Sequence, residues 1–107
     1  MLKRSHAQAI ANLTAKHLGL SVRPKIRFAN VERGQALPEH NLIVIPNFVR
    51  KMPVKVSTYY ICHEISHCAD GGLHHGKRFR SVEDKALMFW GISIKRKGVY
   101  PVDIRQN

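Results

Sequence analysis

Acidic residues are scarce in this chain. Asp and Glu together number 7 against 18 Lys and Arg, which leaves a formal net charge of +11 over 107 residues. That imbalance excludes a surface of evenly mixed charge and favours polyanionic partners, nucleic acid first. The basic residues are spread widely, at Lys3-Arg4, Arg23 to Arg27, Arg50-Lys51, Lys77-Arg78-Arg80 and Lys95-Arg96-Lys97. No recognisable DNA-reading motif accompanies them, so contacts are expected at phosphates and without base readout. Solubility alone would also account for such charge. Long apolar runs are missing too, which excludes a membrane-spanning helix. Met1 to Arg4 leads into an amphipathic segment rather than an apolar signal core, so no secretory signal is expected. Cysteine is limited to Cys62 and Cys68. Six residues apart on one predicted helix, they point to different sides, which argues against a disulfide. Free thiols fit a reducing compartment, and a cytoplasmic location is expected. Repeats, linkers and low-complexity stretches are absent. The length allows one domain, residues 1–107, with a modest core.

What the chain does contain is His63-Glu64-Ile65-Ser66-His67, an H-E-x-x-H pattern. On a helix, positions four apart lie about 40° apart around the axis, so both imidazoles leave one face. Two neutral nitrogens so placed can grip one divalent metal, zinc above all. Glu64 lies about 100° round from His63, at the edge of that face. It is badly aimed to be a ligand and well aimed to take a proton from a water beside the metal. Two surface histidines at helical spacing are the plain alternative.

The flanks support the metal reading. Val54 to Cys62 is apolar enough for a half-buried helix, with Ile61, Ile65 and Cys68 opposite the His pair as its core face. Asp70-Gly71-Gly72 stops the helix, and Gly71 suits the left-handed position after its end. A third ligand is needed, and the glycine turn brings back His75 eight residues after His67. Either cysteine could in principle ligate metal, but a small buried apolar role suits both better.

The segment from about residue 54 to about residue 92 resembles the SprT-like zinc metallopeptidases. The resemblance rests on His63-Glu64-x-x-His67, a short Gly-containing loop, and His75-Gly76-x-x-Phe79. In that family the His of the H-G-x-x-F element is the third zinc ligand, which implies His75 rather than His74. The loop here is shorter than in many relatives, and the four-cysteine zinc ribbon that many carry at the C-terminus is lacking. Metzincins fit less well, because their third His would fall at Leu73 and no Met-turn follows. Gluzincins take a Glu from the next helix. Glu83 is therefore the alternative third ligand, or else a partner that holds a His ring.

The remaining chain reads as follows. A helix is expected from Ser5 to about Leu18, with Ser5 and Gln8 as a capping box. Its apolar face would hold Ala9, Ile10, Leu13, His17 and Leu18, and Gly19 would end it. Lys25 to Ala29 alternates like a strand, with Ile26 and Phe28 inward. Val31 to His40 reads as a connection. Asn41 to Pro46 is the strongest strand, with Leu42 or Ile43 on the core. Pro46 suits a sheet edge or a strand end. The resemblance to zincin-like folds implies that this last strand before the H-E-x-x-H helix is the edge that receives an extended substrate, with a plain core strand as the alternative. Asn47 to Met52 links it to the metal helix, whose first turn Pro53 suits. Lys77 to about Ile92 reads as a closing helix with Phe79, Val82, Ala86, Leu87, Phe89 and Trp90 on its apolar face. The tail from Lys95 would pack as a short extended segment or fray.

The expected fold is therefore α+β: an N-terminal helix, a small antiparallel sheet, the H-E-x-x-H helix, the ligand loop and the closing helix, a small zincin-like domain as the resemblance implies. The expected function is zinc-dependent peptide-bond hydrolysis by a monomer holding one zinc on His63, His67 and His75. Glu64 is the proton carrier, and Tyr60 a candidate to stabilise the oxyanion. SprT-like enzymes act on proteins attached to DNA, which implies such substrates here, with sequence-independent DNA contact at Lys77, Arg78 and Arg80. A phage-encoded protein would act in the host cytoplasm or nucleoid. The alternatives are a basic nucleic-acid binder with a structural zinc, or an interaction protein whose metal site is degenerate. A structural site is usually closed by a fourth ligand, which Cys68 could offer only if its helix unwound.

Overall fold

Three helices each give way to a glycine. In the computed structural model, which describes residues 1–72, 75–97 and 100–106, α1 spans Arg4–His17, α2 Val54–Asp70 and α3 Lys77–Phe89. Gly19, Gly71 and Gly91 follow them with φ of 80°, 78° and 67°. Left-handed backbone of this kind penalises any Cβ, so glycine lets the chain turn away from each helix. Between α1 and α2 lie β1 (Lys25–Ala29), β2 (Gln35–Leu37) and β3 (Leu42–Pro46). After α3, β4 (Ile92–Lys97) and β5 (Tyr100–Gln106) form a separate antiparallel pair. No helix among the described residues is long and apolar enough to cross a membrane.

The architecture is α+β, as expected, but the three-stranded sheet is mixed rather than antiparallel. Its order is β1-β3-β2, with β3 parallel to β1 and antiparallel to β2. Residues 31–40, expected to be a plain connection, contain β2. The chain runs back along the outer edge as β2 and turns through a 3-10 turn at Pro38–His40. Asn41, at φ 53°, then lets β3 enter between the other two strands. With three residues and only Ala36 buried, β2 is too short to show alternation. β3 is consequently central and not the substrate-receiving edge. Its Ile43 and Ile45 are fully buried, as a strand paired on both sides requires. The edge on the side of α2 is β2, which packs against that helix.

α1 differs from expectation in its cap and in its buried face. It starts at Arg4, with Lys3 in the cap position and no side-chain cap bond, so the Ser5–Gln8 capping box does not form. Gln8 instead serves the sheet. Its Oε1 accepts the Ile26 N–H at 2.9 Å, and its Nε2 donates to the Pro24 carbonyl at 3.0 Å. A tertiary partner for a strand amide outweighs a local cap, because a buried N–H left unmatched costs about 1–3 kcal/mol. The buried face is Ala7, Ile10, Ala11, Thr14 and Ala15, while Leu13 and His17 are exposed. Small alanines let α1 approach closely. Thr14 donates to the Ile10 carbonyl at 2.7 Å and accepts the Trp90 indole N–H at 2.8 Å.

The main core lies between the sheet and α2. Ile26, Ile43, Ile45, Val49, Ile61 and Ile65 are all fully buried there. At about 1.5–3 kcal/mol for each such side chain, this contact fixes α2 firmly to the sheet. A second cluster of Tyr59, Cys62, Ala86, Leu87 and Ile92 joins α2 to α3 and β4. Pro53 stands in the cap position of α2, one residue earlier than expected. The closing helix stops at Phe89 rather than Ile92, because Gly91 turns the chain and Ile92 begins β4. On α3 the buried residues are Phe79, Glu83, Ala86 and Leu87, whereas Phe89 is half-exposed and stacks on His17 at 4.5 Å. The tail expected to be extended or frayed supplies β5.

Candidate metal centre

The core contact of Ile61 and Ile65 turns the opposite face of α2 toward α3 and a cleft. From that face come His63, Glu64 and His67. Gly71 ends the helix, and the chain returns to place His75 against the same two rings. His75 Nε2 lies 3.1 Å from His67 Nε2 and 3.2 Å from His63 Nε2. His63, His67 and His75 form a group able to hold a metal ion, with their donor atoms all within 4.8 Å of one another. His74 and Leu73 lie outside the described residues.

Hydrogen bonds on the far side of two rings decide what those nitrogens carry. His63 Nδ1–H donates to Glu83 Oε2 at 2.5 Å, and His67 Nδ1–H donates to the Gly72 carbonyl at 2.9 Å. With protons on Nδ1, the neutral rings direct Nε2 lone pairs inward. Lone pairs converging at this distance repel unless a cation lies between them. Nitrogens bound at about 2.0–2.1 Å to a tetrahedral zinc would stand about 3.3 Å apart. The donor type, the spacing and the tautomers thus all fit zinc. Burial holds the His67 pKa below the usual imidazole range, offset in part by the Gly72 carbonyl, which keeps this ring neutral as a ligand must be. Burial lifts the Cys62 thiol to about 12 and the Cys68 thiol to about 11, so neither is a thiolate at neutral pH.

Glu83, the alternative third ligand, does not join the three nitrogens. It is 1% exposed and holds the back of His63 across the α2–α3 interface. Phe79 is the floor of the cluster. Its ring lies 4.3 Å from that of His67, 5.1 Å from His63 and 5.0 Å from His75, and it is 1% exposed. The Phe of His75-Gly76-x-x-Phe79 thus packs against all three imidazoles. The sequence placed Phe79 on the core face of α3 but carried no sign of this second task.

Glu64 is 6% exposed, and burial raises its pKa from the ordinary carboxylate value to about 7. His63 lowers it and Glu83 raises it, both more weakly than burial. A cation among the three imidazoles would pull it back down. The carboxylate opens on a cleft of about 540 Å³. Tyr59, Tyr60, His63, His67 and His75 line one side, and Glu32, Arg33 and Gly34 the other. Those three residues directly precede β2, so the cleft runs along the sheet edge. Tyr60, the candidate oxyanion donor, lies in the cleft wall, edge-on to Phe48 at 6.2 Å and Tyr59 at 5.8 Å. Nothing in the sequence marked Glu32 to Gly34 as cleft residues, because their place depends on the unforeseen β2.

The residues expected to touch DNA stand at the start of α3. Lys77 and Arg78 are exposed, and Arg78 pairs with Asp70 at 3.2 Å. That surface pair contributes little to stability and leaves Arg78 free to exchange partners. Arg80 is half-buried with its Nε turned inward, which makes it a poorer phosphate contact than the other two.

No family model matches the chain, and a search of curated proteins finds no match. Among solved structures, the metallopeptidase zymogen abylysin of Pyrococcus abyssi superposes with a TM-score of 0.68 at 16% identity, over 74% of this chain and 77% of that one. The chain therefore shares the fold of a metallopeptidase, with a three-histidine cluster fit for a metal ion where α2 meets α3.

Proposed function

We propose that this chain is a zinc-dependent endopeptidase of the SprT-like kind, acting on proteins associated with DNA. The observation that carries the catalytic reading is the convergence of three Nε2 atoms beside a buried glutamate that opens on a sheet-edge cleft. His63, His67 and His75 would hold the ion, Glu83 and the Gly72 carbonyl would set their tautomers, and Phe79 would hold their rings. Zinc bound there supplies Lewis-acid chemistry, activating a water and polarising the scissile carbonyl. Glu64 accepts the proton of the attacking water at its carboxylate and delivers it to the departing amine. Its burial keeps bulk water from competing for that proton. An extended substrate backbone pairs with the outer edge of β2, the strand that the cleft residues Glu32 to Gly34 lead into. A structural zinc would call for a fourth protein ligand, and among the described residues the cluster contains three.

The DNA-associated substrate class rests on charge. The chain carries +11 overall, with Lys77 and Arg78 exposed just after His75 and Arg33 in the cleft wall. Such a surface binds phosphates without base readout and concentrates the enzyme beside proteins already on DNA. Metal analysis and proteolysis together test the reading. Purified protein should hold about one zinc per chain, and His75→Ala should lose most of it. A DNA-binding protein should be cut faster with DNA present, with the gain vanishing as salt rises. Zinc-loaded protein that cuts no unfolded substrate would defeat the peptidase reading. Equal cutting of DNA-bound and unbound substrates would defeat the DNA part alone.

A further inference from the structure

We propose that Gly34 is a positioning residue for Glu64: the backbone at this glycine is the stop against which the carboxylate rests. This inference deepens the peptidase reading and rests on it for its catalytic consequence. A methyl group built on Gly34 would stand 2.6 Å from Glu64 Oε2, 3.3 Å from Glu64 Cδ and 3.3 Å from the Val44 carbonyl oxygen. The first distance is well inside van der Waals contact. The glycines with positive φ are Gly19, Gly71 and Gly91, and Gly34 is not among them. It does not occupy the left-handed region that only glycine favours, so glycine is required here for space. Gly72 and Gly76, close to the metal cluster, show no comparable crowding.

What yields to a larger side chain follows from what each neighbour is. The Val44 carbonyl belongs to the central strand, and Gln35 beside Gly34 is paired with Val44 in the sheet. That wall is stiff. Glu64 Oε2 is the tip of a side chain, so a methyl at position 34 displaces the carboxylate first, and the Val44 carbonyl at 3.3 Å has to give by only a few tenths of an ångström. Gly34 also directly precedes β2, the edge along which substrate would pair. One stretch of backbone thereby sets both the register of the substrate and the seat of the base. Positioning of a reacting group to a fraction of an ångström is worth a large factor in rate, and this shared origin supplies it.

Gly34→Ala tests the proposal, with Glu64→Asp as its partner. Crystal structures of metal-free wild type and Gly34→Ala should show the Glu64 carboxylate moved by about 1 Å, with the α2 backbone unmoved. Zinc content should stay near wild type, and the melting temperature should fall by no more than a few degrees, since the contact with the Val44 carbonyl is tight but short of a clash. Activity should fall about a hundredfold, in kcat rather than KM, because the base acts in the transition state. Aspartate is one methylene shorter and clears the added methyl. In a Glu64→Asp background the same substitution should therefore cost no more than about twofold. Equal losses in both backgrounds, or a carboxylate that stays in place in the crystal, would overturn the proposal. A wild type without peptidase activity would instead defeat the proposed function, and the carboxylate position would still decide the role of Gly34.

Discussion

The two faces of α2 are built on opposite principles. Toward the sheet, Ile61 and Ile65 meet Ile26, Ile43 and Ile45 in a wholly apolar contact. Toward α3 and the cleft, the same helix presents His63, Glu64 and His67 to Phe79, Glu83 and His75. The apolar face needs volume and little direction, and it supplies stability in proportion to area. The polar face buries carboxylates and imidazoles that cost free energy unless each is held by a named partner. Glu83 finds His63, and His67 finds the Gly72 carbonyl. Glu64 lies in a crowded niche instead, with its pKa raised by burial. Under the proposed function, stability and chemistry are carried by opposite sides of one helix. The first keeps the second in register.

Three substitutions test whether the two faces are separate. The largest effect is expected at Glu64→Gln. An amide of the same shape cannot take the proton, so hydrolysis should drop by about a thousandfold or more, which is about 4 kcal/mol in the barrier. Zinc content by elemental analysis should be unchanged, and substantial activity in the loaded variant would remove Glu64 from the mechanism. Next is Ile43→Ala on the apolar side. Loss of this fully buried side chain should cost about 3 kcal/mol in chemical denaturation, with zinc affinity of the folded protein unaltered. A marked fall in zinc affinity would show that the two faces are not separate. The smallest effect is expected at Glu83→Gln, which keeps shape but weakens the bond to His63. Zinc affinity, measured by competition with a chelator, should fall about 10–100-fold, equivalent to about 1.4–2.8 kcal/mol. If affinity held while folding stability collapsed, Glu83 would belong to the structural side of the comparison.

Legibility from sequence followed the range over which each feature is decided. β1 and the end of α2 were readable in Lys25 to Ala29 and Gly71, since alternation and left-handed turns are local. The face of α1 was misjudged, because Leu13 looks like a core residue and Ala11 does not, yet close helix packing selected the small one. β2 was invisible, because three residues around Ala36 have no periodicity to show. Without β2, β3 has a partner on one side alone and reads as an edge. Glu83 stood between two roles, ligand and ring-holder, and only the distance to His63 chose between them.

The sequence by itself determined that His63 and His67 share a face with Glu64 at its border, because the 3.6-residue turn of a helix is a property of the backbone alone. Gly71 likewise marked the turn after α2, with His75 and Glu83 both open as the third partner of the pair. Tertiary packing alone brings His75 Nε2 to the other two, sets Phe79 beneath all three, stands Glu83 behind His63, and leaves no room for a side chain between Gly34 and Glu64. Those contacts join residues 4 to 30 positions apart, and the packing of α3 and β2 against α2 sets them, which no local periodicity encodes.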